Sequence, residues 1–267
     1  MPETLPSPTD KLTARIDGHI GWLVLDNPTR RNALTLAMWR AVPELVAALD
    51  AHPDVRVIVV RGAGDGPFAS GADISEFETV RATAEGARAY EAANAEAFAG
   101  LSRAAKPTVA MIRSFCLGGG LGLAIATDLR IAGDSAEFGI PAGRLGVGYP
   151  PDAMVQVVAA LGPMRAKELF FTARRIKAPE ALQAGLLTRV VADDTLEAEV
   201  RQLAESIAAN APLTLRAAKA AINASAGLDD RVPAALRALA DACFDSADYA
   251  EGRIAFLEKR APQFRGA

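Results

Sequence analysis

The stretch from Lys106 to Asp128 constrains this chain most: Lys-Pro-Thr-Val-Ala-Met-Ile-Arg-Ser-Phe-Cys-Leu-Gly-Gly-Gly-Leu-Gly-Leu-Ala-Ile-Ala-Thr-Asp. Thr108 to Ile112 is short, apolar and opened by Pro107, the pattern of a buried strand. From Leu121 the residues are small and aliphatic and read as a helix. Between them lie Gly118, Gly119 and Gly120. A helical glycine costs about 1 kcal/mol relative to alanine, so this run marks a place that needs bare backbone. Two needs fit. One is close packing of a helix against a sheet; the other is a strand-to-helix turn whose free N–H groups face an anionic oxygen.

A second turn of the same kind precedes it. Val55 to Arg61 reads as a strand, followed by Gly62-Ala-Gly-Asp-Gly66 and Phe68-Ala-Ser-Gly-Ala-Asp-Ile74, with Asp73 placed to begin a helix. Two such turns can each offer one backbone N–H to a shared oxygen, and two donors on one oxygen make an oxyanion hole.

On these residues the sequence resembles the crotonase family, also called the enoyl-CoA hydratase/isomerase superfamily. The matching pieces are Asn32-Ala-Leu34, Phe68 to Ile74, Lys106-Pro107, Leu117-Gly-Gly-Gly120, Asp128-Leu-Arg-Ile-Ala132, Phe138-Gly139 and Leu145-Gly146. Ala255-Phe-Leu-Glu-Lys-Arg260 and Phe264 complete the series, which runs in the family's order. The resemblance implies an α/β fold, a crotonase-like spiral of ββα turns over residues 12–194. A C-terminal helical region, 195–267, would serve oligomerisation and act as a lid. It also implies an acyl-CoA substrate, with CoA part of that substrate and no separate cofactor. The expected assembly is a homotrimer or a dimer of trimers.

By position, the resemblance gives the backbone N–H groups of Ala72 and Gly119 to the oxygen of a thioester enolate. Gly118 belongs to the same turn. Asp73 and Ile74 resemble residues beside the adenine, Arg30 and Arg31 would approach phosphates, and Phe256 and Lys259 resemble C-terminal nucleotide contacts. The chain also departs from the family. Hydratases carry one glutamate two residues after the glycine triplet and another after the proline that follows Phe-Gly-x. Here those positions hold Gly122 and Ala142. Asp128 and Glu137 are offset from them and do not substitute. Tyr149, Arg144 and Asp152 are the candidate replacements. The run Leu145-Gly-Val-Gly-Tyr149 resembles one in decarboxylating members of the family, whereas Asp152 also reads as an N-cap and Arg144 as a partner for Glu137 or a substrate acid. The functional expectation is an acyl-CoA enzyme that stabilises an enolate without the hydratase glutamates. A malonyl-type decarboxylase and a non-catalytic acyl-CoA binder are the alternatives.

Composition narrows the partners. The 267 residues carry 29 basic and 32 acidic side chains, interspersed, for a net charge of −3, which argues against nucleic acid. Cys116 and Cys243 sit in apolar surroundings and read as reduced thiols. His19 and His52 have no neighbouring ligand pattern, so no metal is expected. Residues 1–11, with Pro2, Pro6 and Pro8, read as a flexible leader without the features of a secretory signal. Ser114 to Thr127 is too short to span a bilayer, and a cytoplasmic protein away from membranes is expected. Around Asp17-Gly18 a hairpin is predicted, and the alanine-rich 84–102 segment is predicted to be a helix; Arg81, Glu85, Arg88 and Glu91 read as a solvated face, with visits to the catalytic site as the alternative.

Overall fold

The computed structural model describes residues 2–267. Strands β1 (Glu3–Leu5), β2 (Leu12–Asp17) and β3 (Ile20–Leu25) form an antiparallel meander. The β2–β3 turn is Gly18-His19, one residue later than predicted, because Asp17 still pairs with Ile20 and Gly18 takes the positive φ of 60°. The leader expectation is corrected here. Glu3 to Leu5 pairs with Ala14 to Ile16, so this segment is an edge strand.

Helix α1 (Leu36–Ala51) starts at Thr35, whose hydroxyl accepts from the Met38 amide, and it buries Trp39, Val46 and Leu49. Its C-terminus is capped from a distance: the Lys106 ammonium donates to the Leu49 and His52 carbonyls at 3.1 and 2.7 Å. After β4 (Val57–Gly62) come the short α2 (Phe77–Val80) and α3 (Ala84–Ser102), then β5 (Thr108–Ile112) and β6 (Phe115–Leu117). Helix α4 (Gly119–Ile125) begins two residues before the predicted start, with Gly118 (φ 52°) as its N-cap. Strands β7 (Leu129–Gly133) and β8 (Glu137–Gly139) lead into α5 (Ala142–Leu145) and α6 (Pro151–Thr172). Gly162, at φ 70°, kinks α6 just before Pro163. Then follow β9 (Ile176–Lys177), α7 (Ala178–Gln183), β10 (Arg189–Val191) and the helices α8 (Leu196–Ala208), α9 (Pro212–Ser225), α10 (Pro233–Phe244) and α11 (Ala247–Glu258).

The main sheet has seven strands in the order β1-β2-β3-β4-β5-β7-β10, parallel from β3 onward. A second sheet, β6-β8-β9, is extended by a bridge from Ala69 to Cys116. Each winding therefore leaves one strand in the main sheet and one segment in the smaller sheet before a helix returns, which is the spiral of ββα turns. The central strands are buried on both faces, as parallel strands are. Ile58, Val60, Ala110 and Ile112 join the core shared with α1, α3 and α4. Their alternating neighbours Val57, Val59, Val109 and Met111 pack with Trp22 against Leu196, Val200, Ala204 and Ala208 of α8. So the first helix of the region expected to begin at 195 completes the sheet's second face. The looser part is α9–α11, where burial is confined to Ala220, Asp248 and Ala255.

Two family motifs turn out to be scaffolding. Asp128 receives the Thr108 amide and hydroxyl and pairs with Lys219 at 2.8 Å. The Arg130 guanidinium donates to the carbonyls of Leu186 and Thr127. Both cysteines are free.

Candidate functional site

The two glycine-bearing turns meet. Asn32, fully buried, donates from its side chain to the Pro67 carbonyl at 2.6 Å and accepts the Asn27 amide at 3.0 Å, fixing the loop before α1. That loop then holds the first turn. The Leu34 amide donates to the Gly71 carbonyl and the Asp73 amide to the Leu34 carbonyl, while Ser70 donates to the carbonyls of Arg30 and Arg31. Because the peptides on either side of Ala72 face Leu34, the Ala72 N–H points the other way. Gly71 has φ 112°, open only to glycine at low cost, and its Cα lies 3.7 Å from where a Cβ on Gly118 would sit. Gly118 is anchored in turn by its amide, which donates to the Gly139 carbonyl at 2.8 Å.

The next amide, that of Gly119, is the first of α4 and has no intrahelical acceptor. Among the described residues, neither the Ala72 nor the Gly119 N–H has a hydrogen-bond acceptor. Beneath Gly119 lies the Trp39 ring, so close that a Cβ would come within 2.8 Å of it. The ring itself is held: Trp39 Nε1 donates to the Tyr90 hydroxyl at 3.0 Å, and Tyr90 donates to the Leu34 carbonyl at 3.2 Å. Burial pushes the Tyr90 phenol up to about 12.

Gly122, one turn along α4, is the position to which the resemblance assigns the first hydratase glutamate. A Cβ there would lie 2.5 Å from Phe98 Cζ and 2.7 Å from the Tyr149 hydroxyl oxygen. The space a carboxylate stem would need is therefore filled by an aromatic edge and a hydroxyl. Ala142, at the second position, opens α5 and is half-buried. Tyr149 packs edge-on against Phe170, with ring centroids 5.0 Å apart, and its hydroxyl is buried without a partner among the described residues. Burial, and then the negative charge of Glu91, push its phenol well above the ordinary value of 10.0.

The remaining predicted residues divide. Asp73 is buried and caps the turn at Ile74–Glu76, its Oδ1 accepting the Ser75 amide at 3.0 Å and hydroxyl at 2.7 Å. Burial raises the Asp73 carboxyl, but the Ser75 bonds and the nearby Arg30 outweigh it and leave it below the ordinary value of 3.8. Ile74 is 69% exposed beside it, and Arg30 and Arg31 are exposed on the adjoining loop. Arg31 leans over the Phe115 ring at 5.8 Å.

Two expectations are corrected. Asp152 does not cap α6, whose N-cap is Pro150; it lies exposed in the first turn. Arg144 is exposed and does not pair with Glu137, because Arg175 of the neighbouring β9 approach takes that carboxylate at 3.2 Å. Phe256 and Lys259 are exposed among the C-terminal helices. Phe256 shares a groove of about 740 Å³ with Leu236, Phe244, Tyr249 and Phe264.

Sequence reasoning missed the inner face of α3. Arg81 and Glu91 are not on a solvated face: their side chains are 11% and 24% exposed and pair at 2.6 Å. Arg81 also lies over the rings of Phe77 and Tyr90, at 4.5 and 4.9 Å. The available signal was Tyr90, Asn94, Ala97, Phe98 and Leu101, a helical stripe in which Asn94 is the polar member.

The whole chain has counterparts. Residues 15–267 match the family model for enoyl-CoA hydratase/isomerase. A crotonyl-CoA hydratase of Syntrophomonas wolfei is 35% identical over 245 residues, covering 91% of this chain and 93% of that one. A short-chain-enoyl-CoA hydratase of Clostridium acetobutylicum is 32% identical over 247 residues, again covering 91% and 93%. Among solved structures, an enoyl-CoA hydratase/isomerase family protein from Hyphomonas neptunium superposes with a TM-score of 0.90 at 40% identity, covering 97% of this chain and 99% of that one. Matched along that length in sequence and in fold, the chain belongs to the enoyl-CoA hydratase/isomerase family.

Proposed function

We propose that the protein binds an acyl-CoA thioester and stabilises its enolate between the N–H groups of Ala72 and Gly119. The observation that carries this reading is the convergence of two turns whose amides lack acceptors. Each donor to a developing oxyanion is worth about 3 kcal/mol in the transition state. Ile74, Arg30 and Arg31 are exposed next to the turns, and with the buried Asp73 that holds the Ile74 turn they are assigned to the nucleotide end. Phe256 lies in the groove of the C-terminal helices, and we assign it and Lys259 to that end from a neighbouring copy in a homotrimer or dimer of trimers.

Hydration itself is disfavoured. Gly122 and Ala142 provide no carboxylate, and the first of these sites has no room for one. General acid–base groups contribute about 10²–10⁴-fold each, so crotonyl-CoA should be hydrated slowly. A second reading is favoured by the neutral Tyr149 hydroxyl at Gly122: decarboxylation of a malonyl-type thioester, in which loss of CO₂ forms the enolate and no base removes a carbon-bound proton. Incubation with a panel of CoA esters, followed by mass spectrometry, tests both. Turnover with slow hydration is expected. Crotonyl-CoA hydration near the diffusional scale of about 10⁸ M⁻¹s⁻¹ would overturn the reading of Gly122. Saturable binding with no product would leave a non-catalytic acyl-CoA binder.

A further inference from the structure

We infer that Asn94 selects the acyl group: its side-chain carbonyl takes a neutral hydrogen-bond donor, a hydroxyl or an amide, carried on the acyl chain of the thioester. This assignment rests on the acyl-CoA reading above, in which Ala72 and Gly119 hold the thioester oxygen. Asn94 is 7% exposed, and its Oδ1 is buried with no hydrogen-bond partner among the described residues. The amide is held in one orientation. Its Nδ2 donates to Glu91 Oε2 at 3.4 Å, and Glu91 is itself fixed by Arg81 at 2.6 Å. Turned over, the amide would set its carbonyl against that carboxylate. The unpartnered atom is therefore an acceptor, and what it lacks is a donor. Buried acceptors without donors are destabilising and few in native interiors, so a bound group that supplies one is favoured.

The neighbours of Asn94 on α3 place it at the site. Tyr90, four residues before it, reaches the first glycine turn: its hydroxyl donates to the carbonyl of Leu34, whose backbone bonds to Gly71 and Asp73 bracket Ala72. Phe98, four residues after it, reaches α4, where its Cζ lies 2.5 Å from the position of a Cβ on Gly122. Trp39, beneath Gly119, joins the two, since it donates to the Tyr90 hydroxyl and meets the Phe98 ring edge-on with centroids 5.7 Å apart. Residues four apart share one helix face at a spacing of about one 5.4 Å turn. Asn94 thus stands midway along a wall that runs from the Ala72 turn to Gly122. At the Gly122 end of that wall is the second unpartnered atom, the buried Tyr149 hydroxyl, 2.7 Å from the same Cβ position.

The two atoms together define what the acyl chain should carry. A hydroxyl can answer either one, donating its proton to Asn94 Oδ1 or accepting the proton of Tyr149, and a primary amide can do the same. A plain alkyl chain leaves both unpaired. A carboxylate can accept from Tyr149, but it has no proton to give Asn94 and would lie beside the Glu91 carboxylate that the Asn94 amide touches. Hydroxyacyl and amidoacyl thioesters are therefore favoured over simple acyl chains, and chains ending in a carboxylate are disfavoured.

The test is titration calorimetry of the full chain with esters of matched chain length: butyryl-CoA, 3-hydroxybutyryl-CoA, 4-hydroxybutyryl-CoA and succinyl-CoA. One of the two hydroxy esters is expected to bind about tenfold more tightly than butyryl-CoA, and succinyl-CoA is expected to bind most weakly. Asn94→Leu, similar in size but without the acceptor, should bring the hydroxy-to-butyryl ratio below about threefold. Both hydroxy esters binding the wild type within threefold of butyryl-CoA would mean that water answers Asn94, and would overturn the assignment alone. A preference that survives unchanged in a folded Asn94→Leu protein, or succinyl-CoA as the tightest ligand, would overturn it equally. If Asn94→Leu does not fold, Asn94→Ala takes its place, and if neither folds the wild-type ratio decides. No binding of any of these esters overturns the acyl-CoA reading and the assignment together.

Discussion

At Gly122 the backbone of α4 touches two side chains from elsewhere in the chain, and this contact sets the chemistry available to the site. A Cβ at 2.5 Å from Phe98 Cζ and 2.7 Å from Tyr149 Oη cannot be accommodated unless those groups move. Gly122→Ala should therefore destabilise the protein by about 1–3 kcal/mol, the usual cost of overpacking. In the Phe98→Ala background the same change should cost markedly less, giving a coupling of about 0.5–3 kcal/mol in a double-mutant cycle read by urea unfolding. Independent, additive effects would mean that the two groups do not share this space. Tyr90 makes a similar claim one layer below. Tyr90→Phe strands the Trp39 N–H and removes the donor to Leu34, so a loss of about 1–3 kcal/mol is expected. A change within error of zero would show that the chain relaxes around both groups. Neither contact was legible in the sequence. Gly122 could be identified as a missing glutamate, but what replaces the carboxylate depends on side chains 24 positions before it and 27 after it.

At the scale of elements, legibility follows the range of the forces involved. Thr108–Ile112 and Ala84–Ser102 were readable because residue patterning along a strand or helix is local. Strand β6 was not, since Ser114 adopts φ 54° and the segment pairs only with β8 and Ala69. Strand β1 was missed because its prolines lie outside its paired residues, which an edge strand permits. The turn at Ile74–Glu76 offers an element-scale test. Asp73 caps it with a carboxyl whose folded pKa is below its ordinary 3.8. Its contribution is therefore complete above the unfolded-state value and is lost as pH falls through the lower folded value. Asp73→Ala should cost about 0.5–2 kcal/mol at pH 7. Denaturant unfolding from pH 6 to pH 3 should show the wild-type advantage over Asp73→Ala shrinking toward the acid end. An advantage that stays constant across that range would mean the carboxylate's charge plays no part in the cap.

For the whole molecule, the contrast lies between a core that is filled and a C-terminal part that is not. Helix α8 buries Leu196, Val200, Ala204 and Ala208 against the sheet, and no helix among the described residues is long and apolar enough to cross a membrane. In α9–α11, by contrast, Ile222 is 66% exposed, Phe256 84% and Leu257 80%. The tail is nonetheless fixed, because Asp248 receives the Arg265 and Gly266 amides and the Phe264 carbonyl receives Arg56. These apolar side chains are thus held in place on rigid helices rather than left on a loose end, and burying each fully is worth about 1.5–3 kcal/mol. The expected particle is a trimer, or a dimer of trimers, of the 27.9 kDa chain by light scattering. Paired substitution of Phe256→Asp and Leu257→Asp, both exposed in the single chain, should shift that mass toward the monomer while leaving the circular dichroism of the core unchanged. A wild-type protein that remains monomeric at micromolar concentration would remove the assembly, and with it the assignment of Phe256 and Lys259 to a neighbouring copy's nucleotide end.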